Sequence, residues 1–165
     1  MKKYLSAGLF LLSVVVLLTA CPYTSDVPIS EANEKLDKQL YGKWIKESDK
    51  DSENPEFFSI TQAEKYKYRI EKNEYSSSDS SYEATVYISH TSTLGDYIFI
   101  NMQENGEGEF YLYRIDMEDD AFTLFEVTDN IDEKYTNSTD LRTFVDKNKD
   151  LSFFYNKDEV KYIRE

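Results

Sequence analysis

The sequence predicts a mainly β protein, an antiparallel sandwich or barrel. Three observations predict it. Apolar and polar residues alternate in several stretches, with Tyr66, Tyr68 and Ile70 set between Lys65, Lys67, Arg69 and Glu71, and again at Tyr82, Ala84, Val86 and Ile88. Period-two alternation marks a strand with one face buried. Short runs of this kind recur at regular spacing, separated by Gly-rich, Ser-rich or acidic turns, as all-β sandwiches and barrels require. The third observation is aromatic content. One Trp, 14 Tyr and 10 Phe in 165 residues supply a core and argue against wholesale disorder despite 31% charged residues. The length favours one domain.

Residues 1–20 read as an export signal. Lys2 and Lys3 make a positive start. Leu5 through Leu18 is apolar but for Ser6, Gly8 and Ser13, and is short for a spanning helix, which needs about 20 apolar residues. Leu18-Thr19-Ala20-Cys21 resembles the bacterial lipobox, an aliphatic residue and two small ones before the Cys that becomes the first residue. The resemblance implies alkylation of Cys21 by diacylglycerol, cleavage before it and acylation, as by palmitate, of the new amine. Several chains anchor far better than one. A membrane partner reached through this N-terminal lipid follows. Pro22, rather than Asp, after Cys21 implies sorting to the outer membrane, or to the outer face of the cytoplasmic membrane in a single-membrane cell. Export costs only Lys2 and Lys3 among the charged residues, so the mature chain is two units more negative than the −13 of the full chain. A polyanion of this strength excludes nucleic acid as partner.

The remaining elements follow in order. Residues 21–30 read as a tether, kept extended by Pro22 and Pro28. The folded domain is expected over 31–165. A short helix is predicted over 31–40, with Ser30 as its cap and Ala32, Leu36 and Leu40 at steps of four. Gly42 stops it. Strands are predicted at 42–47, 56–60, 65–71, 82–88, 96–102, 109–115 and 121–127, with loops at 48–55 and 76–81. A helix is predicted over 139–147, capped by Ser138, with Leu141, Phe144 and Val145 on one face. Residues 151–155 and 159–164 are expected to form a final hairpin.

Two strands are apolar on both faces, Tyr97-Ile98-Phe99-Ile100 and Phe110-Tyr111-Leu112-Tyr113. A strand facing water on one side should alternate. One face therefore lines the interior. The other needs a cover, either the Leu141/Phe144/Val145 helix or a partner protein or lipid.

Gly42-Lys43-Trp44 on the first strand, after a short helix and before a meander ending in Arg164, resembles the lipocalin and wider calycin group. The resemblance implies a lipocalin-like, antiparallel up-and-down β-barrel with a short N-terminal helix and one helix before the last hairpin. It implies that Trp44 packs at the closed end with Arg164 over it, which makes Gly42, Trp44 and Arg164 a structural signature. Thr128-Asp129-Asn130 is similar to a Thr-Asp-Tyr signature of that group, with Asn130 in place of the aromatic residue. Val27-Pro28-Ile29-Ser30, Asp37, Leu40, Gly42 and Trp44 resemble uncharacterised bacterial lipoproteins with a lipocalin-like module. Their C-terminal segment is similar to Leu141-Arg142-Thr143-Phe144 and the hairpin at 151–164. One departure stands out: lipocalins place their main helix after the barrel, and here it precedes the last hairpin.

Little in the chain points to catalysis. His90, the one histidine, has no nucleophile or matching acid beside it in sequence, so no catalytic residue is assigned and no enzyme is expected. Asp49-Lys50-Asp51-Ser52-Glu53 begins like a calcium loop, but Asn54 and Ile60 stand where Gly and Glu are needed. It and Asp116-Met117-Glu118-Asp119-Asp120 read as solvated loops, and no metal or cofactor is expected. Asn137-Ser138-Thr139 reads as a loop residue and a helix cap. The tyrosines admit two roles, lining a cavity or filling a packed barrel. The expected function is a lipid-anchored envelope protein with a small apolar or amphipathic ligand in its barrel, lined by Tyr97, Phe99, Phe110 and Leu112. The alternative is a packed barrel that works through an envelope protein partner and holds no small ligand.

Overall fold

A computed structural model describes residues 22–128 and 131–165. The signal at 1–20, the lipid-attachment residue Cys21, and Asp129 and Asn130 lie outside the described residues.

The strands are β1 (Thr24–Ser25), β2 (Gly42–Lys46), β3 (Phe57–Glu64), β4 (Lys67–Ser76), β5 (Ser81–Leu94), β6 (Tyr97–Glu104), β7 (Phe110–Met117), β8 (Ala121–Glu126) and β9 (Val160–Arg164), with one helix, α1 (Ser138–Asn148), between β8 and β9. Strands β2 to β9 close an antiparallel barrel in which each strand pairs with its sequence neighbour and β9 lies between β8 and β2. The expected final hairpin does not form. Residues 152–154 make a 3-10 turn, Tyr155 bridges Val127, and β9 instead pairs Arg164 with Trp44 and Val160 with Leu124. A strand inserted between two open edges satisfies backbone groups on both sides, and a hairpin would leave both edges unpaired.

The predicted N-terminal helix over 31–40 is also absent. Only Lys38–Leu40 make a 3-10 turn, capped by Asp37. The chain here bonds to the barrel rather than to itself. The Glu34 carboxylate accepts from the Thr93 amide and hydroxyl, and the Asp37 amide donates to the Tyr68 hydroxyl. Leu36 and Leu40 still face one way, and both enter the interior core.

Two apolar layers share the barrel wall. Inside lie Trp44, Phe58, Ile60, Tyr68, Ile70, Ile100, Met102, Ile115, Phe122, Leu124 and Tyr162. Outside, Phe99, Leu112 and Leu94 pack under Leu141 and Val145 of α1, with Tyr23 and Ile29 from the N-terminal segment. The helix is thus the cover on the second face of β6 and β7. Its cap is Asn137, one residue before the predicted Ser138, because the Asn137 side chain reaches the Asp140 amide at 2.9 Å.

Residues 22–30 hold the short strand β1 and bends at 26–27 and 29–30, and they are fastened to the wall rather than free of it. Pro22 bridges Thr128, Thr24 and Ser25 pair with Tyr111 and Phe110, and the Tyr23 amide donates to the Val127 carbonyl. Asn101, fully buried on the outer face of β6, is the main fixing point. Its Oδ1 accepts from the Ile29 amide at 2.8 Å, and its Nδ2 donates to Ser92 Oγ at 2.9 Å and to the His90 carbonyl at 3.2 Å.

Candidate functional site: the open end of the barrel

The two ends of the barrel differ. At the closed end, Trp44 is fully buried, its indole N–H donates to the Leu40 carbonyl at 2.8 Å, and its ring meets Phe122 edge-on at 4.9 Å. The Arg164 guanidinium lies 4.1 Å from the Trp44 ring and donates to the carbonyls of Tyr41 and Gln39. It thereby ties the segment beneath the barrel to the last strand. Gly42 has φ +129, and a Cβ there would meet Arg164 Nη1 at 3.1 Å, so the site needs glycine twice over. Above this plug, Leu40, Phe58, Ile60, Ile70, Ile100, Met102, Ile115, Phe122 and Leu124 leave only about 10 Å³ of space.

The opposite end is hollow. A cavity of about 220 Å³ is bounded below by Phe58, Met102, Leu124 and Val160, and at its rim by Lys46, Glu56, Lys72, Tyr87, Tyr113, Glu126, Asp158 and Tyr162. Strand periodicity places the rim. Lys46, Glu56, Lys72, Tyr113 and Glu126 each stand two residues from a core residue, namely Trp44, Phe58, Ile70, Ile115 and Leu124. They share the inward face and occupy the next pleat toward the opening.

The charges at the rim are partly matched. Glu56, whose side chain is 13% exposed, binds Lys46 at 3.1 Å and accepts from the Tyr162 hydroxyl at 2.9 Å. Lys72 pairs with Glu74 at 3.0 Å and reaches Glu56 at 3.9 Å. Glu126 accepts from Asn156 at 3.0 Å and, among the described residues, pairs with no cation, and neither does Asp158. The Tyr113 hydroxyl makes no hydrogen bond among the described residues. Burial pushes the Tyr113 phenol up, and the Glu126 charge adds to the shift. Burial, then Glu56, does the same to Tyr162. Both phenols therefore stay protonated and can donate. The Tyr162 ring is stacked on Phe122 and tilted on Phe58, whereas among the described residues the Tyr87 ring pairs with Tyr111 alone, edge-on at 6.3 Å.

The predicted ligand-lining residues are elsewhere. Tyr97, Phe99, Phe110 and Leu112 lie on the outer face in the layer under α1 and the N-terminal segment. Alternation says that Phe99 and Ile100 face opposite ways. It does not say which faces inward, and the docking of Leu141 and Val145 decides that. The interior instead receives Ile98, Ile100, Tyr111 and Tyr113. The rim lysines and carboxylates are masked in the sequence, because charged residues in strands ordinarily face solvent. Their even spacing from Trp44, Phe58 and Ile70 was the available signal.

His90 sits on the outer wall, its Nε2 2.7 Å from the Ser30 carbonyl, and burial lowers its pKa. Its ring nitrogen thus fastens the N-terminal segment. The acidic run at 116–120 pairs with nearby cations, Asp116 with Arg114 on its own strand, and Glu118 and Asp120 with Lys161 and Arg164 of β9. Asp49 accepts from the Ser48 hydroxyl within its turn. Among the described residues no group of three or more His, Cys, Asp or Glu side chains is placed to hold a metal ion, and no helix is long and apolar enough to cross a membrane.

No family model, curated protein or solved structure matches the chain.

Proposed function

We propose that this chain is a bacterial lipoprotein, attached by lipid at Cys21 to the cell envelope, whose lipocalin-like barrel holds a small apolar or amphipathic ligand in its open end. The carrying observation is the asymmetry of the barrel interior. One end is packed to about 10 Å³ around Trp44 and Leu40, and the other keeps about 220 Å³ over an apolar floor. A barrel with only a structural task has no use for the hollow, since small barrels fill with their own side chains. The apolar floor and polar rim suit an amphipathic molecule, because such pockets combine apolar walls with a few placed polar groups. The lipocalin-like assignment draws on Gly42, Trp44 and Arg164, and the anchor on Leu18-Thr19-Ala20-Cys21.

The test is mass spectrometry of the full-length chain expressed in a bacterial host and purified in non-ionic detergent. The denatured mass is expected to show cleavage before Cys21 and added acyl mass, and C21S is expected to lose both. The native mass is expected to carry a discrete adduct that leaves on denaturation. An unacylated chain sinks the anchor, and a native mass equal to the bare acylated chain favours a protein partner over a small ligand.

A further inference from the structure

We infer that the open end of the barrel selects an organic cation, an amine or quaternary ammonium group, held between the Tyr113 and Tyr87 rings and the Glu126 carboxylate. The premise is the ligand-binding role proposed above, to which this inference adds the charge of the ligand. The sign follows from which rim charges are already matched. Two lysines line the cavity, and both are spent: Lys46 on Glu56 at 3.1 Å, and Lys72 on Glu74 at 3.0 Å. An anion entering the cavity would have to break these pairs. Glu126 and Asp158 remain without a cationic partner among the described residues, and Glu126 accepts only from the neutral amide of Asn156. A cation completes this half of the rim and an anion is repelled by it.

The rings favour the same sign. The face of a tyrosine ring is the negative end of its quadrupole and attracts cations within about 6 Å. Tyr162 is unavailable for this, because Phe122 and Phe58 occupy its ring. Tyr87 meets Tyr111 edge-on, and Tyr113 sits directly across the strand pair from Glu126. Ring and carboxylate are thus neighbours on adjacent strands. Size sets the rest. The volume of about 220 Å³ falls below the roughly 300–1,000 Å³ of pockets that enclose drug-sized ligands, so the site takes a head group or a small molecule. The net charge of −13 on the full chain draws cations toward the opening at low salt.

The test is calorimetric titration of the full-length chain in non-ionic detergent with three soluble probes of one shape class: benzyltrimethylammonium, benzyl alcohol and phenylacetate. Benzyltrimethylammonium is expected to bind at least about tenfold more tightly than either of the others. E126Q and Y113L are each expected to weaken it about tenfold, Y113F to keep it, and E118Q, at the closed end, to leave it unchanged. Thermal melts confirm that each variant is folded, and E126Q carries the test where Y113L is not. Phenylacetate binding as tightly as the ammonium probe, or an ammonium affinity unmoved by E126Q, overturns the inference while leaving a ligand site in place. Binding of none of the three, with no adduct in the native mass, overturns the ligand-binding role as well.

Discussion

Replacing Asn101 with Leu tests whether residues 22–30 belong to the fold or merely lead into it. The Asn101 side chain is fully buried and makes three hydrogen bonds, one of them from the Ile29 amide of the N-terminal segment. Each bond contributes about 0.5–1.5 kcal/mol net, and a buried donor left without a partner costs about 1–3 kcal/mol. Ser92 Oγ keeps a second partner in Ser30 Oγ at 2.6 Å, so the orphaned group is the Ile29 N–H. Leu has the branching of Asn101 but is larger, so it adds apolar contact with the outer layer, which offsets a part, and some crowding. The expected loss is about 2–4 kcal/mol. At about 2–4 °C per kcal/mol for a chain of this size, the melting midpoint falls by roughly 5–15 °C. The assay is thermal and urea unfolding of the full chain with and without N101L, together with hydrogen exchange at the Ile29 amide. That amide is expected to lose its protection while the amides of β3 and β4 keep theirs. A midpoint within about 0.5 kcal/mol of the parent, with Ile29 still protected, refutes the assignment of Asn101 as the fixing point.

At the closed end, a double-mutant cycle of W44L and R164M should return a coupling of about 0.5–2 kcal/mol from the stacked pair, read from urea midpoints. G42A should cost about 1–3 kcal/mol from its positive φ, and its close approach to Arg164 should add to that. Ser89 Oγ is buried with no hydrogen-bond partner among the described residues, so S89A should raise stability by about 1 kcal/mol, and a loss of that size would show an unseen partner. Burial holds His90 below its usual 6.5, so the unfolded chain takes up the proton first. Stability is therefore full above that pH and falls as pH drops through it, and H90Q should flatten this slope in melts taken from about pH 7 to 5.5. Tyr23, Tyr68 and Tyr155 are each pushed up to about 12 by burial from 10.0, so stability should fall as pH rises above 10, and tyrosinate absorbance should appear together with unfolding.

Much of the fold was legible in the chain before any coordinate. Alternation at 66–70 and 82–88 located β4 and β5, and Gly and acidic turns marked the boundaries of β6, β7 and β8. Leu141, Phe144 and Val145 predicted α1, and the doubly apolar runs marked β6 and β7 as strands that need a cover, but not which of their faces takes it. These signals are local, because strand and helix periods are written within a few residues of one another. The errors fell where local pattern and distant partner disagree. Leu36 and Leu40 at a spacing of four look helical, yet the segment around them gives its amides and carboxylates to Tyr68 and Thr93. Residues 151–155 and 159–164 look like a hairpin, yet β9 is taken by two edges far away in sequence. The site was missed for a related reason. Periodicity assigns Tyr97, Phe99, Phe110 and Leu112 to one face without saying which, and the charge of Lys46, Glu56 and Glu126 masks the even spacing that sets them on one face with Trp44, Phe58 and Leu124.

The inward side of every strand became known only once the barrel closed and α1 docked. Element type and order, the acidic balance and the two-faced strands are properties of neighbouring residues, and the linear chain carries them in full. Which face is interior, which end is plugged and which carboxylate lacks a cation are properties of residues brought together from opposite parts of the chain. Those long-range choices are settled by burial and by backbone pairing between edges, and no short stretch of sequence contains both partners.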